Sequence, residues 1–467
     1  MTLGPDLTPA ALLGSQTPGD DTRMVPLRVV GRPEYGTLPP ADPQAGVAAL
    51  YIHVPFCSTK CHYCDFYSVA GKLEQSEAYL DALAREIQMS VSHFGKPRPE
   101  TIFIGGGTPT LLAAGHLERL LGLIREAADL SLLTEFTVEA NPNTFDQERA
   151  RVSAAGGGLG GVNRISFGAQ SFVAGELAVL QRDHDPENVV AAVEIARQNG
   201  IRNINLDLIF GTPGQTLDSW DYSLRRALAL QPDHLSCYSL TYEPQTAMTA
   251  RLRAGEFAAL DESLELAIFQ HTYDTLRHAG FERYEVSNYA RRPPPHNVGV
   301  PPAPPKKSAF SIQHSAFSMR CRHNLHYWKG SNYLGWGPAA ASGYEGWHWK
   351  NIPSLNHYLV ALSAGASKGE AQQAVLPLTQ VEHLPPVQRA GELLMLWFRL
   401  TEGVNFAEFQ ARTGVDLRPR LEPILKRYEG LEFFAPTEDG KGVRMTDKAV
   451  PVSDALLREM LGAFRKQ

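Results

Sequence analysis

Cysteine is scarce in this chain, with five residues among 467. That scarcity, with no basic segment and apolar run at the start, excludes a secreted disulfide framework. No apolar stretch approaches the roughly 20 residues of a membrane-spanning helix, so at most a peripheral contact with a membrane is expected. Basic residues are not in excess either. Lys and Arg total 44 against 50 Asp and Glu, a formal net charge of −6. The chain therefore lacks the broad positive field that nucleic acid or an anionic bilayer would need, and nucleic acid is excluded as a partner. What remains is an ordinary soluble composition, 43% hydrophobic and 20% charged, enough for a large core and expected in the cytoplasm.

Three of the five cysteines fall within eight residues. The stretch 48–68 reads AALYIHVPFCSTKCHYCDFYS and places Cys57, Cys61 and Cys64 in the spacing C-x3-C-x2-C. The run 48–53 predicts a strand, which Pro55 ends because it has no N–H to donate. Three soft ligands on one loop without a fourth cysteine do not close a structural zinc site. They suit an iron–sulfur cluster with one iron left open. Two other readings stay open here: a zinc site completed by His53 or His62, and three unligated thiols.

From residue 48 onward, strand and helix patterns alternate. Strands are expected at 48–53, 101–104, 135–139, 162–167, 203–209 and 234–240. Helices are expected at 75–94, 113–130, 146–154, 171–180 with 186–199, and 215–230. Six such units imply a parallel sheet with right-handed crossovers, an open partial barrel. Polar and glycine-rich signals stand at the strand ends, where such barrels bind ligands. They are Gly105–Thr110, Glu139-Ala-Asn-Pro, Gly168-Ala-Gln170-Ser, Asp207 and Thr241-Tyr-Glu-Pro. The run from Gly156 to Gly161 matches G-x-G-x-x-G but follows a helix and precedes a strand, so it is a loop and no dinucleotide fingerprint.

The motif YIHVPFC-x3-C-x-YCDF resembles the cluster loop of the radical S-adenosylmethionine enzymes, and more closely the oxygen-independent coproporphyrinogen III oxidase family. The resemblance covers about 48–290 and 322–466. It implies a partial (β/α)6 radical SAM barrel with a small winged-helix-like C-terminal domain. It also implies a 4Fe–4S cluster on Cys57, Cys61 and Cys64, whose fourth iron is chelated by S-adenosylmethionine. Tyr51, Tyr63, Gly106, Gly107, Thr108, Glu139, Gln170, Arg182 and Asp207 are the positions that would contact this cofactor.

The rest of the chain is expected to carry a helix at 260–279, a short strand at 282–288, and a proline-rich insertion at 291–320 that departs from the family pattern. The domain plan is then a Pro/Gly-rich disordered leader, 1–46; the barrel, 47–290; the insertion, 291–320; an extension, 321–384; and the C-terminal domain, 385–467. Helices at 387–400, 405–413 and 417–428, a β-like stretch at 431–445 and a helix at 453–466 make up that last domain.

Residues 323–328 read HNLHYW. By composition this is a buried aromatic cluster around a hydrogen-bonded histidine. It also resembles a segment found in the haem chaperone branch of the family, which makes His323 a candidate haem ligand. The Gly337-Pro-Ala-Ala-Ala341-Ser sequence departs from the family's G-P-x-A-H-S, and Ala341 cannot ligate or transfer a proton. Decarboxylases of the family carry a further cysteine two positions after the third ligand, where this chain has Phe66. The expected function is haem binding and transfer to an acceptor protein, supported by a cluster, S-adenosylmethionine and a reductant. Oxidative decarboxylation of coproporphyrinogen III and a zinc-stabilised interaction module are the alternatives.

Overall fold

The computed structural model describes residues 36–156, 160–292, 319–363 and 376–465. Most of the leader, most of the proline-rich insertion and the centre of the glycine-rich loop lie outside the described residues.

The expected βα alternation is present. Strands β1 (Ala49–Val54), β2 (Thr101–Gly106), β3 (Glu135–Ala140), β4 (Arg164–Gln170), β5 (Asn203–Phe210) and β6 (His234–Ser239) pair in that order, all parallel. Along β3, β4 and β5 apolar residues alternate with polar ones, and both sets are largely buried: Phe136 and Val138 point one way, Glu135 and Thr137 the other. Between them run α1 (Ser76–Phe94), α2 (Ala114–Ala127), α3 (Gln147–Ala154), α4 (Ala174–Val179), α5 (Pro186–Gln198) and α6 (Leu217–Ala229). After β6 come α7 (Ala247–Arg253) and α8 (Glu262–His278).

Two differences from the sequence reading stand out. The stretch 282–288 is not one strand. It spans the end of β7 (Phe281–Arg283), a turn at 284–287 and the start of β8 (Asn288–Arg291), and the two strands pair antiparallel. The buried Glu285 carboxylate accepts the Ser287 amide at 3.1 Å, which satisfies the turn and interrupts the strand. A seventh parallel strand also joins the sheet. After α9 (Arg322–Trp328), β9 (Tyr333–Trp336) lies on the free side of β1. It continues into β10 (Ala341–Tyr344) and β11 (Trp347–Asn351), then α10 (Leu355–Ser363) and β12 (Leu378–His383). The sheet order is β12-β11-β10-β9-β1-β2-β3-β4-β5-β6-β8-β7, open at both ends.

The chain divides into two compact units. The larger holds 37–327 and 331–381; the smaller holds 328–330 and 382 onward. In the smaller unit, α11 (Pro386–Trp397), α12 (Phe406–Thr413), α13 (Arg418–Arg427) and α14 (Ser453–Arg465) surround a core of Leu393, Leu394, Trp397, Phe409, Leu421 and Met460. Strands β13 (Val404–Asn405), β14 (Phe434–Pro436) and β15 (Gly442–Met445) form a sheet ordered β13-β15-β14. The β-like stretch at 431–445 is thus a hairpin, broken at Gly440, whose φ of +67° suits glycine.

Candidate functional site

The site begins where β1 stops. The Pro55 carbonyl accepts the Val69 amide at 2.8 Å, and Phe56–Cys57 pairs in parallel with Val69–Ala70. These contacts close the base of a loop that carries all three cysteines. The end of β2 is tied to the same place: the Gly107 amide donates to the Val54 carbonyl at 2.8 Å and the Thr108 amide to Phe56 at 2.7 Å. A Cβ on Gly107 would lie 2.6 Å from the Phe56 carbonyl oxygen, so only glycine permits this approach.

His53 holds these pieces together from below. Its Nε2 lies 2.8 Å from the Tyr67 carbonyl, which can only accept, so Nε2 carries the proton and Nδ1 accepts from the Tyr51 hydroxyl at 3.0 Å. Burial lowers its pKa to about 4, which keeps the ring neutral.

The following strand ends supply polar side chains. Glu139 at the end of β3 accepts the Gly106 amide at 3.1 Å, and burial, with Asp207 nearby, raises its carboxyl to about 7. The β4–β5 register slips between Phe167 and Gln170, and Gln170 sits at φ +62°. This bulge re-aims the strand end, a device common beside binding sites. On β5, Asp207 accepts from Ser166 and from Asn205, each at 2.8 Å. Beyond α4, the Arg182 guanidinium donates to Cys61 Sγ at 3.5 Å and to the Gly168 carbonyl at 2.9 Å.

These groups line one cleft of about 420 Å³ at the C-terminal ends of the strands. Cys57, Cys61, Cys64, Tyr63, Gly106, Gly107, Thr108, Glu139, Gln170, Arg182 and Asp207 all border it. Tyr51 does not border the cleft; it stacks on Phe103 at 6.3 Å and acts through His53. Asn141, Asp183 and Tyr238 border it as well. Of these, Asp183 gave no local signal in the sequence, since its role depends on Ser58, 125 residues away.

His323 is elsewhere. It is 1% exposed on α9, with Nδ1 2.9 Å from the Thr101 hydroxyl, Nε2 2.9 Å from the Tyr327 hydroxyl, and its ring stacked on Phe103. Glu135 caps this helix, accepting the Arg322 amide at 2.8 Å and the His323 amide at 3.1 Å. Ala341, in place of the family histidine, is exposed at the start of β10.

The residues fit the cofactors that the motif implies. Arg182 Nε is buried without a hydrogen-bond partner at the cleft wall, which Gly106 and Gly107 also line. Burial raises the Cys57 thiol and raises Cys64 to about 11, so loading iron must release protons. Among the described residues, no three His, Cys, Asp or Glu side chains gather closely enough for a single metal ion. A cluster does not need that convergence, because each thiolate binds a different iron. His53 has both ring nitrogens engaged as above, and His62 Nδ1 lies 3.0 Å from Arg251 Nη1.

The Radical SAM superfamily model matches residues 51–227, and the HemN C-terminal domain model matches 384–452. A protein named heme chaperone HemW from Mycobacterium tuberculosis (strain CDC 1551 / Oshkosh) is 34% identical over 431 residues, covering 91% of this chain and 98% of its own length. The chain belongs to the haem chaperone branch of the radical SAM superfamily. A second relative of that name, from Escherichia coli (strain K12), is 33% identical and spans 84% of this chain and 95% of its own. Among solved structures, the coproporphyrinogen III oxidase of Escherichia coli, described as a radical SAM enzyme, superposes with a TM-score of 0.70 at 21% identity, covering 91% of each chain. That likeness shows a shared fold. Membership in the superfamily implies a 4Fe–4S cluster and S-adenosylmethionine. Phe66, two positions after Cys64 and 69% exposed, lines the cleft. No helix among the described residues is long and apolar enough to cross a membrane.

Proposed function

We propose that this protein binds haem and passes it to an acceptor protein, with a 4Fe–4S cluster on Cys57, Cys61 and Cys64 and S-adenosylmethionine in the adjoining cleft. The observation that carries this reading is the 34% identity, across 91% of the chain, to a protein named as a heme chaperone.

When bound, the cluster supplies an electron drawn from an external reductant and one open iron for the amino acid part of S-adenosylmethionine. The chain's own residues bind and orient. Gly106 and Gly107 offer backbone at the cleft wall, Glu139 and Asp207 offer carboxylates, Gln170 offers an amide, and Arg182 offers a cation whose Nε–H has no partner. Tyr63, packed beside Leu180, Ile209, Leu240 and Met248, closes the cleft on its apolar side. No acid–base step on a porphyrin is assigned to any of them.

An anaerobic haem titration of cluster-reconstituted protein, followed by absorbance, tests the proposal. Saturation near one haem per chain, with haem then lost to an added apo-acceptor, is the expected result. Failure to bind haem, with turnover of coproporphyrinogen III, would move the chain to the decarboxylase reading.

A further inference from the structure

Arg182 and Asp183 follow a backbone kink. Gln181, two residues past the end of α4, sits at φ +57°, a left-handed conformation that costs a non-glycine residue energy and tends to persist where function needs it. The Arg182 amide donates to the Leu177 carbonyl at 2.9 Å, which fixes the kink. Two adjacent side chains thereby reach the cysteine loop at separate points.

Arg182 Nη1 donates to Cys61 Sγ at 3.5 Å while Nη2 is held by the Gly168 carbonyl at 2.9 Å. Asp183 Oδ2 accepts from the Ser58 hydroxyl at 2.7 Å, and Oδ1 accepts from Asn141 Nδ2 at 2.9 Å. The Asn143 side chain also donates to the Asp183 carbonyl. Ser58 lies directly after the first cysteine, and Cys61 is the second. Neutral groups also donate to the loop's sulfurs: the Thr108 hydroxyl to Cys57 at 3.8 Å and the Phe66 backbone to Cys64. Arg182 is a charged donor among them.

We propose that Arg182 and Asp183 are a two-armed clamp on the cysteine loop: Arg182 raises the reduction potential of the cluster through Cys61, and Asp183 fixes the loop through Ser58. An N–H donor and a buried cation beside a ligating thiolate stabilise the state with more negative charge, which is the reduced cluster. Asp183 bears more on position than on potential, because its residue is exposed and its charge is better screened than that of the buried Arg182 guanidinium. The inference rests on the cluster assigned above and goes beyond the binding role given to Arg182.

The test uses the full chain, reconstituted anaerobically without S-adenosylmethionine and poised with dithionite and mediators. The midpoint potential is read from the EPR signal of the reduced cluster, and iron release to a chelator is timed. Arg182→Met is expected to shift the midpoint negative at unchanged iron content. Arg182→Lys, which keeps the charge but cannot donate to Cys61 and Gly168 together, is expected to shift it less, and serves as the comparison should Arg182→Met fail to load. Asp183→Ala is expected to leave the midpoint in place and to release iron severalfold faster, with Asp183→Asn in between. A loaded wild type whose midpoint matches both Arg182 variants overturns the first arm, and unchanged iron release in Asp183→Ala overturns the second. A wild type that takes up no cluster overturns the cofactor assignment itself, and the clamp with it.

Discussion

Gly106→Ala is the substitution that most directly tests how the cleft is built. Gly106 sits at φ +103°, and a Cβ there would lie 2.4 Å from His53 Cε1 and 2.5 Å from Nδ1. The imidazole cannot step aside without giving up Tyr51 or the Tyr67 carbonyl, both part of the loop's anchorage. Backbone strain of about 1–2 kcal/mol, overpacking of about 1–3 and one broken buried hydrogen bond of about 1 give a loss of roughly 3–6 kcal/mol. Gly122→Ala is the internal control. It lies within α2 with nothing inside 4 Å of a new Cβ, so it should stabilise by about 0.5–1 kcal/mol. Urea denaturation of both variants, with cluster content after reconstitution, is the assay. If Gly106→Ala unfolds within about 1 kcal/mol of wild type and loads iron normally, His53 is not the keystone of the site.

Three further outcomes are expected. Glu86 is buried and accepts from Tyr358, Asn351 and the Gly337 amide, and burial raises its carboxyl from 4.5 to about 7. The folded state then holds this proton more tightly than the unfolded chain, so Glu86 costs stability as pH rises from about 4.5 through 7, by roughly 3 kcal/mol in total. Glu86→Gln should remove that slope between pH 5 and 8; equal slopes in urea titrations would refute it. Glu135→Ala leaves the first turn of α9 uncapped and the buried Arg164 short of its counter-charge, a loss of about 3–5 kcal/mol by the same assay. His323→Ala should keep the haem stoichiometry of wild type while losing about 2–4 kcal/mol of stability. Loss of haem binding in a folded His323→Ala chain would make it the ligand after all.

The sheet was legible because its signal is local. The six strand runs recur at regular spacing between helical patterns, several with apolar and polar residues in alternation, as in Asn203–Phe210, and strand-end chemistry follows from the barrel topology. The site residues were legible where a motif carried them, as in Cys57, Cys61, Cys64 and Gly106–Thr108. What escaped depends on distant partners. Tyr333–Trp336 is only four residues among glycines and drew no strand expectation, yet it is a parallel strand because β1 offers it an open edge. Asp183 matters only because a kink turns it toward Ser58. For His323, composition and resemblance pulled apart, and its surroundings match the compositional reading: a buried ring with both nitrogens occupied.

That placement changes how H-N-L-H-Y-W should be understood. Glu135 and Arg164 begin β3 and β4, at the end of the barrel opposite the cleft, and both are buried. Burial works against the Arg164 charge, but Cys321, Glu135, Tyr284 and Asp207 outweigh it. From there a hydrogen-bonded series runs inward. The Cys321 amide donates to the Tyr284 hydroxyl at 3.1 Å, and Tyr284 pairs with His234 Nε2 at 2.8 Å. His234 Nδ1 meets Asn205 at 2.6 Å, and Asn205 donates to Asp207 at the cleft. Buried polar groups are costly unless satisfied together, so the first turn of α9 and the polar floor of the cleft stand or fall as one assembly. The His323 amide joins that assembly through Glu135, while its imidazole is held separately. Both ring nitrogens of His323 are engaged, by Thr101 and Tyr327, at the end of the barrel opposite the cleft.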